Sequence, residues 1–220
     1  MGATHMALAK RELSFTPEEY LEFERTAETK HEYLDGQIYE MAGASPLHNR
    51  IRFNTIGELH ALLKDSSCFG YTSDQKIRTD PMDLFSYPDI TIICGEPVYH
   101  DHHQDVILNP RVIIEVLSPG TEAYDRGEKF ARYQNTKSLT DYILIAQDRL
   151  SIEHYVRQKG TRKWTFTIET EMSAEIVIAS INSKLKLAAV YDRVTFPPKR
   201  TSLQVVQAQP AKASPKRRKR

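Results

Sequence analysis

The sequence predicts an α+β or mixed α/β fold. Three observations carry this. Segments with helical spacing and strand-like runs follow in the order helix, strands, helix, strands, unlike the strict alternation of a doubly wound fold. One run, PRVIIEVL at 110–117, is apolar on both faces apart from Glu115, and such a strand is normally covered on both sides. The 220 residues, 40% hydrophobic, suffice for one full-sized core. We expect 1–14 to be an extension, 15–198 the folded unit, and 199–220 a basic, disordered tail.

The elements follow in order. SFTPEEYLEFE offers Ser14 or Thr16 as a cap, Pro17 in the first turn and acids beside the positive end of the helix dipole, so a helix is predicted over 17–26. Asp35-Gly36 within HEYLDGQIYEMAG is a hairpin signal between two short strands. Behind Ser45-Pro46, residues Ile51, Ile56, Leu59, Leu62 and Leu63 recur at close to helical spacing. Strands are then predicted in FGYTSDQKIRT, YPDITIICG and RVIIEVLS. TEAYDRGEKFARYQNTKS returns to helical spacing with Tyr124, Phe130 and Tyr133, and Gly127 is its weak point. DYILIAQD, LSIEHYVRQKG and KWTFTIET read as three further strands joined by turns at Asp148-Arg149 and Lys159-Gly160. LKLAAVYDRV reads as a short helix before Pro197-Pro198.

Composition narrows the function classes. The formal net charge is +1, but the last nine residues carry six cations and no acid, leaving −5 for residues 1–211. Such a tail is suited to nucleic acid or to nuclear import, or is simply a solvated end. The opening MGATHM reads as an appended segment ahead of a start at Met6. Cys68 and Cys94 lie far apart with no CxxC spacing, so neither a disulfide nor a cysteine-based zinc site is expected, and a reducing, cytoplasmic setting fits. No apolar run spans a membrane and no signal peptide is visible. Neither GxGxxG nor GxxxxGK[ST] occurs, so no nucleotide cofactor is expected.

The candidate chemistry lies in carboxylates. Strand alternation puts Glu115 on one face with Ile113 and Leu117, where an unpaired ionised carboxylate would cost several kcal/mol. Asp89 follows Pro88 at the start of another strand. If the two strands pair antiparallel, Asp89 lies close to Glu115, and two converging acids call for a divalent cation such as Mg²⁺ or Mn²⁺, or for a separate basic partner each. Asp125, Lys129 and Tyr133 fall at i, i+4 and i+8, one stripe on a helix that the short SPGT loop returns over the Glu115 strand. A lysine there can orient or deprotonate a water or stabilise charge on a phosphate oxygen, unless it is only a surface partner of Asp125.

YPDITII, VIIEVLSPGTEAYDRGEKFARYQ and DYILIAQD together resemble the Uma-two family of restriction-endonuclease-like proteins, within the PD-(D/E)xK nuclease superfamily. The resemblance runs from about Phe15 to Phe196 and implies a restriction-endonuclease-like core, a central mixed β-sheet flanked by helices. It implies that Pro88-Asp89 supplies the PD and Glu115 the second acid. The superfamily's usual lysine would stand two residues after Glu115, where this chain has Leu117; by position Lys129 takes its place. Glu32, in HEYLDG, matches an acid near the family's start and is a candidate further metal ligand. The implied activity is Mg²⁺- or Mn²⁺-dependent hydrolysis of DNA phosphodiester bonds, with Asp89 and Glu115 binding metal and Lys129 assisting. The alternative is a non-catalytic module that holds nucleic acid or a protein on the same fold. A homodimer is expected only by analogy with the two-fold symmetry of DNA.

YHDHHQD, with His100, His102 and His103, reads as an exposed loop rather than a metal site. His48 reads as a loop residue and His60 as a helix-surface residue. Trp164 and Phe166 read as sheet-face packing rather than a base-stacking platform. Ser118 lacks a GxSxG elbow.

Overall fold

The computed structural model describes residues 14–79 and 84–198. Thr16 caps α1 (Pro17–Glu24): its hydroxyl accepts the Glu19 N–H at 3.1 Å while the Glu19 carboxylate accepts the Thr16 N–H at 2.8 Å, a reciprocal capping box. Asp35 and Gly36, with φ of 46° and 85°, fold β1 (His31–Leu34) onto β2 (Gln37–Glu40), since a two-residue hairpin turn needs both central residues left-handed. Ser45 caps α2 (Pro46–Leu63) by accepting the His48 N–H at 3.1 Å. The buried stripe of α2 is Ile51, Thr55, Leu59 and Leu63. Leu62, expected inside, is 38% exposed; Thr55 takes the inward i+4 place and satisfies its hydroxyl on the Ile51 carbonyl at 2.8 Å.

The strands are β3 (Cys68–Thr72), β4 (Lys76–Thr79), β5 (Leu84–Ser86), β6 (Ile90–Cys94), β7 (Val106–Ile107), β8 (Val112–Leu117), β9 (Asp141–Ala146), β10 (Ile152–Arg157) and β11 (Trp164–Glu169). They form a six-stranded sheet in the order β11-β10-β9-β8-β6-β3 and a five-stranded sheet in the order β2-β1-β5-β4-β7. The larger sheet is mixed: β8 and β9 run parallel, and its other pairs are antiparallel. FGYTSDQKIRT is therefore not one strand. The chain turns after Thr72, whose carbonyl accepts the Gln75 N–H at 3.0 Å, and β3 and β4 belong to different sheets.

The doubly apolar β8 sits centrally and is buried throughout. Val112, Ile114 and Val116 join a core with Ile51 and Leu59 of α2 and Ile143 and Ile145 of β9. Ile113 and Leu117 face the opposite way, onto Tyr142, Leu144, Phe130, Tyr133 and the Ile77 and Leu84 side chains of the smaller sheet. Each fully buried aliphatic side chain contributes roughly 1.5–3 kcal/mol, so alternation along one strand ties both layers together. The helix after β8 is interrupted. α3 (Glu122–Tyr124) passes into a π-helical turn over Asp125–Lys129, which contains Gly127, before α4 (Phe130–Tyr133) resumes. The expected helix in LKLAAVYDRV begins as strand and ends as turn: β13 (Ser183–Lys186) pairs with β12 (Glu175–Ile178), and only α5 (Leu187–Val190) is helical.

The cysteines correct the sequence reading outright. β3 and β6 pair so that Cys68 faces Cys94, with Cα atoms 3.9 Å apart, and the two are joined in a disulfide. The neighbouring Ser67 carbonyl accepts the Gly95 N–H, which makes Cys68 and Cys94 a non-hydrogen-bonded pair, where side chains approach most closely. A separation of 26 residues hides that register from the sequence. Among the described residues no helix is long and apolar enough to cross a membrane. The expected extension up to residue 13 and the basic tail lie outside the described residues.

Candidate active site

Strand pairing brings the two acids together. In the antiparallel β6–β8 pair Ile90 faces Ile114, which places Asp89, just before β6, across from Glu115. The Asp89 N–H donates to Glu115 Oε2 at 3.1 Å, and the Val116 N–H donates to Asp89 Oδ2 at 2.8 Å. Both residues are buried. Pro88 gives the preceding position no amide to donate.

Lys129 closes the other side. Its Nζ lies 2.9 Å from Glu115 Oε1, 3.0 Å from Glu32 Oε1 and 3.7 Å from Asp125 Oδ1, and its side chain is only 7% exposed. It is therefore no surface partner of Asp125. The π turn helps to place it: a widened turn of this kind often marks a functional site, and here it keeps both Asp125 and Lys129 inward. One turn on, the Tyr133 hydroxyl donates to Glu115 Oε1 at 3.4 Å and pairs with Ser86 Oγ at 2.9 Å. Glu32, on β1, also accepts the Tyr87 N–H at 3.4 Å.

The third wall is α2. His48 Nε2 lies 2.9 Å from Asp89 Oδ1, and the Arg52 guanidinium donates to the same oxygen at 3.4 Å. This corrects the reading of His48 as a loop residue: it stands in the first turn of α2 with its ring on a candidate site carboxylate. His60 lies exposed on the same helix, as expected.

Electrostatics follow from this arrangement. Glu32, Glu115 and Asp125 surround Lys129, while Asp89 beside them contacts Arg52. Burial, with Asp125, Asp89 and Glu32 nearby, pushes Glu115 up to about 8 against the pull of Lys129. Burial opposes a charged Lys129, yet Glu115 and Glu32 hold it protonated well above the usual lysine range. Burial likewise opposes the Asp89 charge, but His48, the Val116 amide and Arg52 keep that carboxyl below its ordinary value. Asp125 is raised, chiefly by burial.

The family's sequence profile, described as "Putative restriction endonuclease", matches residues 17–187. The chain belongs to the Uma2 family. Two uncharacterized proteins of Synechocystis sp. are similar along most of their length: one is 35% identical over 161 residues, covering 73% of this chain and 90% of the relative. The other is 34% identical over 183 residues, covering 82% and 93%. A crystal structure described as a putative nuclease of DUF820 from Anabaena variabilis superposes with a TM-score of 0.66 at 16% identity, covering 81% of this chain and 98% of that one. That likeness supports the restriction-endonuclease-like fold.

In this Uma2 chain the donor set suits a hard divalent cation, since the converging acids offer only oxygens and outnumber the cations beside them. Among the described residues no group of three or more His, Cys, Asp or Glu side chains is arranged to hold a metal ion. A cation carried by Asp89 and Glu115 would thus take its remaining ligands from water and substrate, the usual habit of Mg²⁺. Glu32 bonds Lys129, so its nearest partner is the lysine. The His100–His103 loop stands apart: Arg25 binds its Asp101 at 2.7 Å and Asp105 at 2.9 Å, and His100 packs edge-on against Phe85. Trp164 packs on Phe130 with ring centroids 5.3 Å apart and lies beneath Arg157, whereas Phe166 is 51% exposed. Ser118 pairs with Thr121 at 2.9 Å. Sequence reasoning missed His48 and Arg52. They form an i, i+4 stripe behind the Ser45 cap, which was readable, but the strand end they meet was not.

Proposed function

We propose that this Uma2 protein is a metal-dependent endodeoxyribonuclease in which Asp89 and Glu115 hold Mg²⁺ or Mn²⁺ and Lys129 assists the attack of water on a phosphodiester. The observation that carries the reading is the juxtaposition of Asp89 and Glu115 across β6 and β8 with buried Lys129 2.9 Å from Glu115. When bound, the divalent ion supplies a Lewis acid for the phosphoryl oxygen and lowers the pKa of a water ligand. The protein's own groups do the rest. Asp89 is kept ionised by His48, the Val116 amide and Arg52, so it is ready to accept a cation. Lys129 stays protonated between Glu115 and Glu32, which suits it to orient a water or stabilise developing negative charge rather than to act as a base. Tyr133, fixed by Ser86, holds the Glu115 carboxylate in place.

The test is plasmid nicking in Mn²⁺ by wild type, Asp89→Asn and Glu115→Gln. Nicking by wild type and a loss of at least about a hundredfold in each variant is expected, since the charge stabilisation supplied by a bound metal is worth several kcal/mol. Equal nicking by wild type and either variant overturns the assignment. A second reading is favoured by one contact: Lys129 already answers the Glu115 charge, as it would in a non-catalytic binding module, and wild type that binds DNA without nicking it would support that reading.

A further inference from the structure

Four carboxylates surround this site, and an incoming phosphodiester is also an anion. Lys129, buried and already shared among Glu115, Glu32 and Asp125, is placed to act at the reacting centre rather than to capture the incoming backbone. Among the described residues, the basic side chains on Asp89 that solvent reaches are on α2, where those of His48 and Arg52 are 12% and 27% exposed.

We propose that His48 and Arg52 form a phosphate-binding wall of the site, receiving a non-bridging oxygen of the nucleic-acid backbone beside Asp89; the proposal rests on the nuclease reading for its substrate. The wall is built rather than incidental. Ser45 Oγ accepts the His48 N–H and donates to Gln147 Oε1 at 2.7 Å, pinning the start of α2 to the end of β9. Arg52 is held by Asn49 Oδ1 and Ser73 Oγ, each at 2.9 Å, which fixes the plane of its guanidinium. Its contact to Asp89, at 3.4 Å, is the longest of the three. The bond most easily exchanged for another oxyanion is thus the one that points into the site, while two neutral acceptors keep the fork in place. A planar fork of this kind matches the oxygens of a phosphate. A divalent ion that neutralises Asp89 would weaken that carboxylate's hold on both residues, leaving them to the substrate. Lys30 continues the strip outward: it donates to the Ser73 carbonyl at 2.9 Å, is 41% exposed and pairs at 2.5 Å with Asp74, an exposed carboxylate that a phosphate can displace, which fits a backbone with several phosphates better than a single nucleotide.

The experiment is anisotropy of a labelled duplex oligonucleotide in Ca²⁺ across a salt series, with plasmid nicking in Mn²⁺ on the same proteins. Arg52→Gln is expected to raise Kd about tenfold and to flatten the log Kd against log salt slope by about one unit, because one phosphate contact is lost. Lys184→Gln removes the same charge from exposed β13 and is expected to change neither. Should Arg52→Gln fail to fold, Arg52→Lys keeps the charge but loses the fork; a Kd about threefold weaker with an unchanged slope supports the wall. A folded Arg52→Gln, or failing that Arg52→Lys, that matches wild type in Kd overturns the proposal, as does a wild type that binds no duplex. Nicking with no dependence on Arg52 removes the wall and leaves the nuclease; Arg52-dependent binding without nicking removes the nuclease and leaves the wall.

Discussion

Glu115 and Lys129 are 2.9 Å apart and both buried, yet they should not respond alike to mutation. Glu115 is one of four acids, so Glu115→Gln relieves repulsion among Glu32, Asp89 and Asp125 as well as breaking a pair. Lys129 is the cation shared by Glu115, Glu32 and Asp125. Its loss strands buried negative charge, which typically costs about 3–5 kcal/mol. Urea denaturation in EDTA is therefore expected to show Lys129→Met strongly destabilised and Glu115→Gln within about 1 kcal/mol of wild type or above it. Comparable losses in the two would show that the pair acts as an isolated ion pair. Asp141 gives a separate pH signature. Burial works against its charge, but His154, Ser180 and Thr140 hold its carboxyl below the ordinary value. A carboxyl depressed in the fold adds stability above its unfolded pKa and loses it as pH falls through the folded one. The Tm advantage of wild type over Asp141→Asn should therefore be full near neutrality and shrink below about pH 4.

At the scale of elements, what the sequence revealed was local. Caps at Thr16 and Ser45, the Asp35-Gly36 turn and the alternation in RVIIEVL act within a few residues, and each was readable. The Asp89–Glu115 pairing was also legible as a condition, because antiparallel neighbours require it. What stayed hidden depends on docking between distant segments: the end of α2 that meets Asp89, the split of 69–79 between two sheets, and the Cys68–Cys94 register. The π turn was foreshadowed only by Gly127, whose added Cβ would meet nothing within 4 Å, so the glycine marks a weak point in helix propensity rather than a close approach. The disulfide ties the edge strand β3 to β6, the strand that follows Asp89. Closing a loop of its span constrains the unfolded chain by about 3 kcal/mol. Dithiothreitol should lower the urea-derived stability by roughly that amount in wild type and leave Cys68→Ser/Cys94→Ser unchanged. An equal shift in both would deny the bond any role in stability.

Over the whole molecule, the two sheets and α2 meet so that one point gathers residues from β1, α2, the start of β6, β8 and the π turn. Positions 32, 48, 89, 115 and 129 are spread through the chain, so the site exists only in the completed fold. On the proposed reading, an acidic body can carry a site for DNA because four carboxylates gather where a cation would sit, with the basic side chains of His48 and Arg52 on the open side. Calorimetric titration of Mn²⁺ into wild type, Asp89→Asn and Glu115→Gln tests that account most directly. The account predicts saturable binding by wild type and none by either variant. A folded wild type that takes up no Mn²⁺ would contradict it and leave Glu115 held by Lys129, the Tyr133 hydroxyl and the Asp89 amide.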